Sequence, residues 1–137
     1  EIVVRATRPR ESTILVVDDS LTIRTLLHNI LLAAHYHVVT ASDGHAALAE
    51  LVRMPTCDLI ISDLQMPGMD GVELCRAVRR SERANLPILI VTSVGDADEK
   101  RRALEAGADG YVIKADFEQS HFLELVTRLT GPWKATA

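Results

Sequence analysis

From residue 13 onward the chain alternates between two kinds of segment, and that alternation limits the folds open to it. The first kind is short, apolar and rich in β-branched residues: Ile14-Leu15-Val16-Val17, His37-Val38-Val39-Thr40, Leu59-Ile60-Ile61, Ile88-Leu89-Ile90-Val91 and Tyr111-Val112-Ile113. Runs this short and continuous read as strands covered on both faces. The second kind has helical period. Leu26, Leu27, Ile30, Leu31 and Ala34 share one face of a segment that begins near Ser20, and Ala47, Leu48, Leu51 and Val52 do the same after Asp43-Gly44. Asp70 and Glu73 have capping-box spacing ahead of Leu74, Cys75 and Val78. Ala103, Leu104 and Ala106 lead to Gly107, a residue suited to end a helix, and Phe122, Leu125, Val126 and Leu129 run to the double stop Gly131-Pro132. The order βαβαβαβαβα specifies an α/β domain: a five-stranded parallel sheet, doubly wound, with right-handed crossovers.

Composition narrows the function. The 137 residues suffice for one domain with one core, and 47% apolar against 25% charged residues is the balance of an ordinary globular protein. A net charge of −4 supplies no basic field for nucleic acid or an anionic membrane. No apolar run is long enough to span a bilayer, and the first residues do not read as a signal peptide. Cys57 and Cys75 fall in apolar segments and read as buried free thiols, which fits a reducing, cytoplasmic setting. Residues 1–12 have no period and carry Arg5, Arg8, Pro9 and Arg10, so they read as a linker or tail ahead of a domain at 13–131, with a C-terminal tail at 132–137. The chain starts at Glu1 without a Met, as expected of a piece of a longer protein.

In open α/β sheets, ligands bind beyond the carboxyl ends of the strands near the topological switch point. Strand 1 ends in Asp18-Asp19, strand 3 in Ser62-Asp63, strand 4 in Thr92-Ser93 and strand 5 in Lys114. With strand order 2-1-3-4-5, Asp18, Asp19 and Asp63 form one cluster, with Thr92 beside it and Lys114 reaching in. Three carboxylates that close repel, and a hard divalent cation with oxygen ligands relieves them at neutral pH. Mg²⁺ fits, since it takes few carboxylates, keeps waters and accepts phosphate oxygens. Such a set suits attack by a carboxylate on phosphorus to form an acyl phosphate, with Thr92 and Lys114 holding phosphoryl oxygens. No Gly-rich phosphate cradle is present, so the donor must bring its own leaving group and most of its own recognition.

These residues resemble the response-regulator receiver domains of two-component signalling, of the flavodoxin-like fold and similar in kind to the chemotaxis response regulators. The resemblance spans about residues 13–130. It rests on Val16-Val17-Asp18-Asp19-Ser20, Asp63-Leu64-Gln65-Met66-Pro67-Gly68-Met69-Asp70-Gly71, Val91-Thr92-Ser93, Ala106-Gly107-Ala108-Asp109-Gly110-Tyr111 and Lys114. It implies that Asp63 is the phospho-acceptor. It also implies that Asp19 and the Gln65 backbone carbonyl bind Mg²⁺ (Mn²⁺ as a substitute) directly, and that Asp18 acts through a water. Thr92 and Tyr111 would be the switch pair, Lys114 a contact to the phosphoryl group, and Gln65 and Val94 would tune phosphoryl lifetime. The implied donor is a phosphohistidine on a histidine kinase or phosphotransfer domain. The implied output is a protein partner on helix 4, strand 5 and helix 5 of an isolated monomer. Ala115 stands where the family has a Pro preceded by a cis bond, so a strained or rearranged loop is expected after Lys114. The stretch from Lys114 to Gln119 and the start Asp19-Ser20-Leu21-Thr22-Ile23-Arg24 resemble receivers fused to chemotaxis-type histidine kinases.

Two other functions compete. One is a Mg²⁺-dependent phosphohydrolase with an aspartate nucleophile, but its acid/base Asp would stand two residues on, where this chain has Gln65. The other is an interaction module of the same fold that is never phosphorylated; the complete acidic and lysine set argues against it. Asp18-Asp19 alone would also suit a helix cap, as Ser93 would for helix 4. His28, His35, His37, His45 and His121 lack metal-ligand spacing, Met54, Met66 and Met69 read as packing or loop residues, and Arg76, Arg79, Arg80 and Arg83 read as a solvated basic face.

Overall fold

The computed structural model describes residues 12–131. The expected linker (but for Ser12) and C-terminal tail lie outside the described residues. The strands β1 (Thr13–Val17), β2 (His37–Ala41), β3 (Leu59–Ser62), β4 (Ile88–Thr92) and β5 (Gly110–Ile113) form one sheet in the order β2-β1-β3-β4-β5. Every neighbouring pair is parallel. Between and after them run α1 (Leu21–Ala33), α2 (Gly44–Arg53), α3 (Gly71–Arg79), α4 (Ala97–Glu105) and α5 (Gln119–Thr130). Fold class and strand order agree with the sequence reading.

The strands alternate their side chains between two apolar layers. Leu15, Val17, Ile60, Ile88 and Ile90 meet α2, α3 and α4 through Ala47, Leu51, Leu74, Val78 and Ala103. Ile14, Val16, Leu59, Ile61, Leu89 and Val91 meet α1 and α5 through Leu27, Ile30, Leu31, Phe122 and Val126. β1, β3 and β4 are thus buried on both faces, as continuous apolar runs require, whereas β2 and β5, also read as covered on both faces, lie at the sheet edges and are only partly buried. The helices begin where side chains satisfy their first free N–H groups: Ser20, Asp43, Asp70, Asp96 and Glu118 each accept such a bond. Asp70 and Glu73 complete the capping box.

Several details differ from the sequence reading. Leu26, Val52 and Leu104, assigned to buried stripes, are 47%, 87% and 43% exposed. Each directly neighbours a residue that does face the sheet or lies beside one, and a helix turns about 100° per residue, so the docked stripe excludes them. The cap of α4 is Asp96, not Ser93, because the chain runs on past β4 through Ser93, Val94 and Gly95 before it reaches the cap. The basic run Arg76, Arg79, Arg80 and Arg83, of which only the first two lie within α3, is not uniformly solvated. Arg79 donates to the carbonyls of Ala84, Leu86 and Gly107 and pairs with Asp109 at 2.9 Å. Arg83 donates to those of Leu51 and Met54. Only Arg76 and Arg80 are exposed. Cys75 is buried and its thiol is pushed up to about 11 by desolvation, whereas Cys57 is half-buried. Among the described residues no helix is long and apolar enough to cross a membrane.

Candidate functional site

The pairing of Val17 with Ser62 brings the ends of β1 and β3 side by side, and the Asp63 N–H donates to the Val17 carbonyl at 2.8 Å. One carboxylate oxygen from each of Asp18, Asp19 and Asp63 lies within 4.8 Å of the others. Asp18 and Asp63 are buried, and Asp19 is exposed. At such separations like charges repel, most strongly between the buried pair Asp18 and Asp63.

Each carboxylate except Asp19 is held by the protein. Asp18 Oδ1 accepts from Ser20 N–H at 2.9 Å, and Asp63 Oδ1 from Leu64 N–H at 2.7 Å. Lys114 reaches in from the far side of β4, with Nζ 3.0 Å from Asp18 Oδ2 and 3.3 Å from Asp63 Oδ2. Burial raises the Asp18 pKa above the usual carboxylate range, and the Asp63 charge adds to this against the pull of Ser20 and Lys114. Desolvation works to lower the Lys114 pKa, but the hydrogen bond to Asp18 and the two carboxylate charges outweigh it, so the ammonium is held above its ordinary value. One lysine among three carboxylates leaves the cluster short of positive charge, and its donors are all oxygens. The residues fit a hard divalent cation.

The loop after Lys114 is rearranged rather than strained. Every peptide bond among the described residues is trans. Lys114–Asp116 forms a single 3₁₀ turn closed by Phe117 N–H on the Lys114 carbonyl at 3.1 Å. Ala115 sits exposed within that turn, and Lys114 still meets both carboxylates.

Thr92 is buried at the end of β4, where its hydroxyl oxygen accepts from Val94 N–H at 3.3 Å. The Tyr111 hydroxyl on β5 donates to the Val94 carbonyl at 2.6 Å. Val94 is therefore held from both sides, by the two residues expected to act as a switch. Burial raises the Tyr111 pKa, aided by the charges of Glu99, Asp96 and Asp63. The Gln65 side chain is exposed on the loop after β3.

Three residues bear on the site to which the sequence reading assigns no role. Ser62, fully buried, donates its hydroxyl to the Asp63 carbonyl at 2.8 Å. A Cβ on Gly71 would lie 2.4 Å from that same carbonyl oxygen. Arg24 donates to the Asp18 carbonyl at 2.6 Å. Their signals are spacing alone: a glycine directly after the cap Asp70, and an arginine one helical turn past the cap Ser20.

The sequence profile of the response regulator receiver domain matches residues 14–127. The chain belongs to that family. A probable transcriptional regulator, ycf27, of Guillardia theta is 41% identical over 101 residues, which is 74% of this receiver and 39% of that protein. The phosphate regulon transcriptional regulatory protein PhoB of Pseudomonas aeruginosa is 39% identical over 129 residues, 91% of the receiver and 56% of PhoB. The receiver thus spans about two fifths to just over half the length of these curated relatives. Among solved structures, the chemotaxis protein CheY4 of Vibrio cholerae superposes with a TM-score of 0.80 at 37% identity, covering 87% of the receiver and 98% of that chain.

Proposed function

We propose that this receiver takes a phosphoryl group onto Asp63 from a phosphohistidine of a histidine kinase or phosphotransfer domain, and passes the change to a protein partner. The observation that carries this reading is the meeting of Asp63 with Asp18, Asp19 and Lys114 at adjacent strand ends. An Asp63 oxygen attacks phosphorus in line and the P–N bond of the donor breaks. The imidazole leaves with the electron pair and takes a proton from water, and an acyl phosphate remains. Asp18, Asp19, Asp63 and the Gln65 carbonyl would hold Mg²⁺ or Mn²⁺, which when bound neutralises the cluster and draws charge from the phosphoryl oxygens. Lys114 contributes a point charge to a second oxygen and the Thr92 hydroxyl a hydrogen bond to a third.

As Thr92 turns toward the phosphoryl group it gives up Val94 N–H. Val94 then shifts against Tyr111, and the surface of α4, β5 and α5 changes. Gln65 and Val94 flank the phosphoryl group and set its lifetime. The domain catalyses its own phosphorylation and hydrolysis, with no separate small substrate to turn over. It is cytoplasmic, a monomer when isolated, and makes no nucleic-acid contact of its own, consistent with its net charge of −4. Its partner is another protein or another part of a longer chain.

The test is intact mass after incubation with acetyl phosphate and Mg²⁺. We expect one phosphoryl group on the wild type, stable to acid and labile to base, and none on Asp63→Ala. An unmodified wild type refutes the reading, and rapid turnover of p-nitrophenyl phosphate would instead indicate the phosphohydrolase.

A further inference from the structure

Asp18 and Asp19 share the cluster but are held very differently. Asp18 is fixed at four points: its N–H donates to the Ala41 carbonyl, its carbonyl accepts from Arg24, Oδ1 from Ser20 N–H and Oδ2 from Lys114. Asp19 is exposed, and among the described residues no hydrogen bond or ion pair fixes its carboxylate. Where Asp19 points is therefore decided by its backbone. The peptide that leads into it is the one whose oxygen Arg24 grips at 2.6 Å. Arg24 can do so because it lies one turn into α1, its own N–H bonded to the Ser20 carbonyl at 2.9 Å. The helix thus reaches back over the turn from which it starts. The guanidinium is aimed at a neutral carbonyl rather than at a carboxylate, so its contribution is geometric before it is electrostatic.

We propose that Arg24 is a positioning residue for cation binding: by locking the peptide between Asp18 and Asp19 it keeps the Asp19 carboxylate turned toward Asp18 and Asp63. The proposal rests on the reading of this cluster as a cation-dependent phospho-acceptor site. Without the arginine the Asp18–Asp19 peptide loses the bond that fixes its carbonyl, the exposed Asp19 side chain spreads further into solvent, and the cation meets two well-placed carboxylates instead of three. Partners that orient ligands in this way typically change metal affinity by about ten- to a hundredfold when removed.

The experiment compares wild type, Arg24→Met and Arg24→Lys. Methionine keeps an apolar stem and loses every donor, while lysine keeps a cationic donor group without the planar fork. Mn²⁺ is titrated against each protein without phosphodonor, and the free ion is read by electron paramagnetic resonance. We expect the Mn²⁺ dissociation constant to rise about tenfold in R24M, with R24K between it and wild type. In parallel, phosphorylation by acetyl phosphate should need more Mg²⁺ for its half-maximal rate in R24M, yet reach the wild-type maximum when Mg²⁺ saturates. Circular dichroism and a cation-free melt establish folding; should R24M not fold, R24K carries the same comparison. A lower melting temperature with unaltered Mn²⁺ affinity would mark a purely structural arginine and overturn the proposal. A wild type that binds no Mn²⁺ at all would instead overturn the reading of the cluster on which the proposal rests.

Discussion

At the scale of single residues, the site depends on backbone as much as on carboxylates. Gly71 opens α3 in a conformation any residue can adopt, so its lack of a side chain answers to space rather than to φ. An added Cβ would lie 2.4 Å from the Asp63 carbonyl oxygen and 2.9 Å from Leu64 Cα, and both are backbone atoms that cannot swing away. The close approach also allows Gly71 N–H to bond the Leu64 carbonyl at 2.8 Å. Gly71→Ala should therefore push the end of β3 aside, costing about 1–3 kcal/mol in urea unfolding and slowing phosphorylation of Asp63 by acetyl phosphate. If stability falls while the phosphorylation rate holds, Gly71 supports the fold and not the acceptor. Asp18, Asp19 and Asp63 are legible in the sequence, because carboxylates at strand ends collect at the switch point of such a sheet. Gly71, Ser62 and Arg24 are not, because each acts on a main-chain carbonyl, and a sequence does not show which carbonyl a side chain will find.

At the scale of elements, the sheet is the most legible part. β1, β3 and β4 need apolar residues on both faces, and a parallel strand buried that way has few other sequences open to it. The helices are readable in place but not in detail. A stripe narrower than the apolar run leaves Leu26, Val52 and Leu104 outside. Least legible is Arg79, which lies in a run of four arginines and differs from its neighbours only in what it touches. It bonds carbonyls in the α3–β4 connection and at Gly107 after α4, and its partner Asp109 also accepts the first N–H of β4, from Ile88 at 2.9 Å. One side chain thus joins α3, α4, β4 and the entry to β5. Its removal leaves several carbonyls without their donor. Arg79→Ala should cost about 2 kcal/mol or more, against less than about 0.5 kcal/mol for Arg76→Ala on the exposed side of the same helix. Denaturant midpoints of the two variants check this directly, and equal midpoints would restore the reading of a uniformly solvated face.

At the scale of the whole molecule, the proposed route from Asp63 to the β5 surface runs through Val94. Its N–H rests on the Thr92 hydroxyl, and its carbonyl receives the Tyr111 hydroxyl. A phosphoryl group on Asp63 can shift this arrangement only by interacting differently with its two positions, and the Thr92 hydroxyl is the group that can do so. In the structure it serves Val94, and under the proposed mechanism it would turn to a phosphoryl oxygen instead. Thr92→Val keeps the shape of the side chain and removes that choice. The variant should still take a phosphoryl group on Asp63, since Asp18, Asp19 and Lys114 are untouched. Amide hydrogen exchange then separates transfer from transmission. In wild type, phosphorylation should speed exchange at Val94 and alter it from Ser93 to Ala97 and around Tyr111, while β1 and β3 stay protected. In Thr92→Val the Val94 amide should exchange quickly from the start, and phosphorylation should change nothing further in those segments. A variant that still carries the full exchange response from Asp63 to Tyr111 would show that the two ends of the molecule communicate by a route that bypasses Thr92.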